Sequence, residues 1–144
     1  MSGSRLAPLL LRLVLGVIFF AHGAQKVLGW WGGPGFSGTI KMFTGQGMPI
    51  ALAVLVMLGE FLGGIGLIVG CLTRFAAGGI AIIMVGALLL VHLQHGFFMN
   101  WFNEPNRGHG IETVLAYLVM ALSLVLTGPG ALALDSMLTR RRSR

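Results

Sequence analysis

Four apolar runs, at about 6–26, 50–70, 75–96 and 110–127, dominate this 144-residue chain. Each is close to the roughly 20 residues that a helix needs to cross a bilayer. Runs of this length in hydrocarbon must satisfy their backbone groups internally, which makes them helices. Only 10% of residues are charged and 56% are hydrophobic, where soluble domains carry roughly 25% charge. The segments between runs are too short for a separate catalytic domain. The expectation is therefore an all-α, integral membrane four-helix bundle forming one domain over 1–144, with any chemistry inside the bundle or at its mouth.

The net charge of +6 does not point to nucleic acid, because four of the ten cations are Arg140, Arg141, Arg142 and Arg144 at the tail. Lys and Arg stay on the cytoplasmic side of multi-span proteins. With four crossings, one side holds Arg5, Arg12, Arg74 and the four tail arginines, seven cations; the other holds Lys26, Lys41 and Arg107, three. That bias puts both termini in the cytoplasm of a bacterial or archaeal cell, with the tail against anionic lipid. Trp30, Trp31 and Trp101 then fall at the outer interface, where indoles prefer to sit. Ala21 and Gly23 resemble a signal-peptide cleavage site, but Arg12 breaks the apolar region and three more runs follow, so the first run reads as a retained span. The lone cysteine, Cys71, excludes an internal disulfide and reads as a packing residue.

Pro49 opens the second run, and Gly128-Pro129-Gly130 stops the fourth. In the long first outer connection Phe36, Ile40 and Phe43 recur at i, i+4 and i+7 with Lys41 off the stripe. That spacing predicts a short interfacial helix lying across the bundle mouth. The glycines of 29–47 leave a flexible loop as the rival reading. Residues 100–110 read as a polar loop on the same side.

At about 100° per residue each run carries one small or polar stripe. The first has Arg12, Gly16, Phe19, Gly23 and Lys26, with His22 beside Lys26. The second has Gly59, Gly63, Gly66 and Gly70, with Glu60 and Gly64 at its edge. On the third, His92 and His95 share a face with Gly78, Ala81, Val85 and Leu88, and on the fourth His109, Glu112, Ala116, Ser123 and Thr127 align. A charge facing lipid costs at least about 2.5 kcal/mol, so the stripes should converge. The expected result is an outward-opening pocket lined by His22, Lys26, His92, His95 and Glu112, with Glu60 facing inward near Arg12 or Lys26 and a buried Arg12–Glu60 ion pair as its floor.

Three chemistries remain open for that pocket. The polar groups could be structural glue. They could hold a quinone headgroup, with histidine and carboxylate exchanging protons at its oxygens and Phe19, Phe20, Phe97 and Phe98 as flat walls. A single metal is the weakest option, with His92, His95, His109 and Glu112 as its ligands; Glu60 and Glu112 are too few acids for a dinuclear site.

The stretches Arg12 to Lys26 (RLVLGVIFFAHGAQK), Glu60 to Gly64 (EFLGG) and Gly70 to Arg74 (GCLTR), followed by His92, Glu112 and Gly128-Pro129-Gly130 through Asp135, resemble the DoxX family of small four-helix membrane proteins. The resemblance implies an inner-membrane protein tied to redox metabolism. Some members are subunits of thiosulfate:quinone oxidoreductase, and others join a sulfurtransferase and a superoxide dismutase in a membrane complex for thiol balance. It carries the family's Arg, Lys, Glu, Thr-Arg and His onto Arg12, Lys26, Glu60, Thr73-Arg74 and His92. Ala133 stands where relatives often have serine. It also implies a redox protein partner or a homo-oligomer, with quinone the one cofactor candidate and no catalysis by this chain alone. A non-enzymatic membrane scaffold or small-solute carrier is the alternative.

Overall fold

The computed structural model describes residues 3–136 and is helical, without a strand among them. The five helices are α1 (Gly3–Leu28), α2 (Gly35–Gly45), α3 (Ile50–Val69), α4 (Thr73–Ala87) and α5 (Glu112–Thr127). α4 continues through a π-turn (Leu88–His92) and a 3-10 turn (Leu93–His95). Three helices are long and apolar enough to cross a membrane: α1, α3 and α4 with its extension; α5 is apolar but has 16 residues, about 24 Å of rise. Leu55, Ile82 and Leu126 are 66%, 75% and 77% exposed. Large apolar side chains left open on this scale form the surface that a bilayer covers. The four tail arginines lie outside the described residues.

α1 and α3 are the most closely packed pair, and glycine is the reason. A Cβ on Gly23 would lie 2.4 Å from the Phe61 Cα, and one on Gly64 would lie 2.3 Å from the Phe20 nitrogen. One on Gly16 would meet Ile68 at 2.9 Å. These contacts run in opposite directions along the two helices, so the pair is antiparallel, with backbones at a distance only small residues permit. Phe20 and Phe61 stack beside the seam with centroids 5.6 Å apart. The glycine stripe expected on the second run serves another neighbour: Gly59, Gly63 and Gly66 face Ile83, Ile80 and Ala76 of α4. Gly64 alone is the α3 glycine against α1. α4 and α5 close the bundle around Leu15, Phe19, Leu67, Ile80, Met84, Val114 and Leu124.

The end of the bundle that holds Gly3 and Ser136 is tied by side chains bonded to helix termini. Arg12 is 1% exposed. Its Nη1 donates to the carbonyls of Leu67 and Ile68 at 2.8 Å each, in the last turn of α3. Its Nε donates to Pro129 (3.2 Å) and its Nη2 to Ala131 (3.2 Å) and Leu132 (3.1 Å). Carbonyls at a helix C-terminus carry partial negative charge and suit a cation. Gly70, at φ +70°, ends α3 in the left-handed region; a Cβ there would fall 2.6 Å from Arg12 Nη1. Asp135 accepts from the backbone N–H of Leu72 (2.8 Å) and Thr73 (2.9 Å), capping α4. Arg74 donates to the Val125 carbonyl in the last turn of α5 at 3.0 Å.

At the opposite end α2 docks on the end of α1. The buried Thr39 hydroxyl donates toward the carbonyls of Gly35 (2.8 Å) and Lys26 (3.1 Å). The buried face of α2 centres on Thr39 with Ile40 and Phe43 beside it; Phe36 is exposed.

Candidate functional site

Between α1, α4 and α5, at the α2 end, lies a cavity of about 320 Å³. Ile18, Phe19, His22 and Lys26 line it from α1, Glu60 from α3, and Met84, Ala87 and His92 from α4 and its π-turn. Met99 and His109 from the following loop complete the lining with Thr113, Val114 and Tyr117 of α5. That volume is within the usual range for small-ligand pockets, and the wall combines apolar area with a few convergent polar groups.

Lys26 and Glu60 form an ion pair on this wall. Lys26 is in the last turn of α1, where a cation faces the negative end of the helix. Its side chain is 20% exposed and that of Glu60 is 5% exposed, so the carboxylate is the deeper partner. The Phe43 ring of α2 lies 6.0 Å from Lys26 Nζ, within cation–π range. The expected Arg12–Glu60 pair is not formed. Glu60 goes to Lys26, and Arg12 takes backbone carbonyls about two turns further along α3. A guanidinium has five N–H donors in a fixed fork, and a cluster of carbonyls at chain ends can satisfy all of them where one carboxylate cannot.

The histidines are oriented by backbone groups, which fixes their tautomers when neutral. His22 Nδ1 lies 2.9 Å from the Ile18 carbonyl and His92 Nδ1 lies 2.7 Å from the His109 carbonyl. A carbonyl only accepts, so in both rings Nδ1 carries the proton and Nε2 is an acceptor. His109 is the reverse: its Nδ1 accepts from the Asn100 N–H at 3.2 Å, leaving the proton on Nε2. These tautomers are assigned from the bonding pattern. Phe19 meets Tyr117 edge to face, centroids 5.9 Å apart, and His22 at 6.5 Å.

Of the five residues expected to line one pocket, His22, Lys26 and His92 do so and His95 and Glu112 do not. The chain leaves the α-helical period here, through a π-turn at Leu88–His92 and a 3-10 turn at Leu93–His95. The His95 ring lies against Gly108, where a Cβ would be 2.4 Å away. Glu112 begins α5 and accepts from the Met99 N–H at 3.0 Å, closing the 96–111 loop. The stripe expected on the fourth run is not an inward face either. Ala116 is exposed, and Ser123 and Thr127 donate back to Val119 (2.8 Å) and Ser123 (2.7 Å) on their own helix. As for the metal reading, His92, His95, His109 and Glu112 do not gather: no group of three or more His, Cys, Asp or Glu positioned for a metal ion occurs among the described residues. Phe97 and Phe98 are exposed and outside the cavity lining.

Sequence reasoning missed Tyr117 and Thr113, and it named Asp135 only as the end of the family motif, without its capping role. Tyr117 is the only tyrosine in the chain and Asp135 the only aspartate, and Thr113 is one helical turn before Tyr117, a usable signal. At the other end a second cleft of about 410 Å³ is lined by Leu72, Thr73, Arg74, Phe75, Pro129, Asp135 and Ser136. Its charged groups are already bonded to helix ends, as described above.

Fold and site together define a small multi-span helical membrane protein with one polar, ring-walled pocket near an end of the bundle. The DoxX family model matches residues 7–93, and the chain belongs to the DoxX family. It is 32% identical over 130 residues to "Putative oxidoreductase CatD" of Bacillus subtilis, covering 90% of this chain and 85% of that protein. It is 33% identical to an uncharacterized membrane protein of Mycobacterium tuberculosis, covering 91% and 80%. It is 28% identical to the inner membrane protein YqjF of Escherichia coli, covering 92% of each. No solved structure matches the chain.

Proposed function

We propose that this protein is the membrane-embedded binding subunit of a redox system and that its pocket receives the ring headgroup of a quinone. The observation that carries this reading is the convergence of His22, Lys26, Glu60, His92 and His109, with the rings of Phe19 and Tyr117, on one cavity of about 320 Å³. Polar groups in a membrane-spanning bundle are costly unless paired or used, and here three histidines line a space of ligand size. The oxidoreductase name of the Bacillus subtilis relative supports a redox context. In this reading both termini are cytoplasmic, the pocket opens outward and the chain acts as one domain. Electrons pass to or from a partner redox protein. Oriented donors and acceptors hold the ring while Lys26–Glu60 keeps α1 and α3 in register beside it.

Titration of the detergent-purified protein with a short-chain quinone tests the proposal. Saturable binding is expected, weakened in His92→Ala by about 1–3 kcal/mol, roughly five- to 150-fold. Equal affinity in both proteins would remove His92 from the site. Absence of binding to either would leave a scaffold or carrier.

A further inference from the structure

Two imidazoles that line one cavity and share one tautomer have a consequence for the oxidation state of the ring bound there. His22 is held by the carbonyl one turn back on its own helix, and His92 by the carbonyl of His109 across the bundle end. Both protons are thereby committed to Nδ1, and both Nε2 atoms are left as lone-pair acceptors; no described residue bonds to either. A benzoquinone has two carbonyl oxygens and no hydrogen-bond donor. Its hydroquinone, nearly the same in size and shape, has two hydroxyl donors. Resting on the quinone-site reading above, we propose that the pocket is selective for the reduced, dihydroxylated ring, with His22 Nε2 and His92 Nε2 as the acceptors of its hydroxyl protons.

The remaining polar groups do not cancel this preference. Lys26 is engaged by Glu60. His109, with its proton on Nε2, and the Tyr117 hydroxyl can each donate to a ring oxygen in either oxidation state, because a phenolic oxygen accepts as well as donates. The two histidine acceptors distinguish the forms, and the Glu60 oxygen that Lys26 leaves free, also an acceptor only, favours the same one. Against the quinone they set lone pair against lone pair, and they would have to retain water or a neighbouring donor instead. Selectivity for the reduced form also moves the redox couple of the bound ring upward, because the reduced ring is held more tightly than the oxidised one.

The test compares three probes on the wild-type protein under anaerobic conditions: a decyl-tailed benzoquinone, its hydroquinone, and the dimethyl ether of that hydroquinone. Hydroquinone is expected to bind about tenfold more tightly than either of the others, equivalent to about a 30 mV rise in the two-electron potential of the bound couple. In His22→Phe, which keeps a ring on an exposed position of α1, the ratio of hydroquinone to benzoquinone affinity should fall toward one. Equal binding of hydroquinone and benzoquinone, or tighter binding of the benzoquinone, overturns the selectivity and leaves the ring site intact. If none of the three binds, the ring site itself fails and the selectivity with it.

Discussion

Replacing Arg12 by methionine, which keeps an unbranched stem and no charge, would remove all five of its hydrogen bonds at once. The carbonyls of Leu67, Ile68, Pro129, Ala131 and Leu132 would be left without that donor. Interhelical hydrogen bonds in a membrane protein average about 0.6 kcal/mol, and bonds to a charged group in soluble proteins about 1.5–3 kcal/mol. Five bonds at the lower value give a loss of about 3 kcal/mol, and the 1% exposure of Arg12 argues that water does not replace them. Arg12→Lys should fall between the variant and wild type, since one ammonium cannot reach both the end of α3 and the segment after α5. Cys71, the only cysteine, is half-buried in the turn just beyond Leu67 and Ile68, with its N–H bonded to Gly66 at 2.9 Å. Labelling of Cys71 by a fluorogenic maleimide during heating in detergent therefore reports the opening of this corner. Arg12→Met should label faster and at lower temperature. Wild-type behaviour of Arg12→Met would refute the carbonyl-clamp account, and wild-type behaviour of Arg12→Lys would mean that charge matters and the five-donor fork does not.

Three more outcomes are expected. Glu60→Ala should destabilise by about 3 kcal/mol or more, because Lys26 loses its partner, and Lys26→Met/Glu60→Leu should melt closer to wild type than Glu60→Ala does. Gly64→Ala should force α1 and α3 apart at Phe20 and cost about 1–3 kcal/mol, measured by the same thermal assay; unchanged melting would contradict the close approach. A reporter fused after Arg144 should be active only if it works in the cytoplasm, and periplasmic activity would reverse the assigned orientation.

Periodicity carried the fold class because length and apolarity decide it: a run near 20 residues in lipid has no alternative to a helix. Composition also placed Lys26 and Glu60 in the interior, as charge on apolar faces must be paired. Partner choice was not legible. Arg12 and Glu60 lie on adjacent helices, and only the antiparallel register of α1 and α3 brings Lys26 rather than Arg12 to the depth of Glu60. Backbone partners leave no mark in residue type, so the carbonyls around Arg12, and those that orient His22 and His92, could not be read from the sequence. The π-turn of α4 is a further case: a wheel drawn at constant angle does not hold through it, and of His92 and His95 only His92 lines the cavity.

The clamp around Arg12 also sets an order on biogenesis. Its carbonyl partners at Pro129, Ala131 and Leu132 are 117 to 120 residues later in the chain. When the first helix enters the bilayer, its arginine has none of them, and a charge carried into the membrane on a lone helix costs about 2.5–3.5 kcal/mol on insertion scales. Leu67 and Ile68 arrive with the second spanning helix and relieve part of that cost; the rest is relieved only once the segment after α5 has been made. The bundle is therefore latched by the segment that follows α5, and a chain cut short before Pro129 keeps an incompletely bonded guanidinium in its first helix.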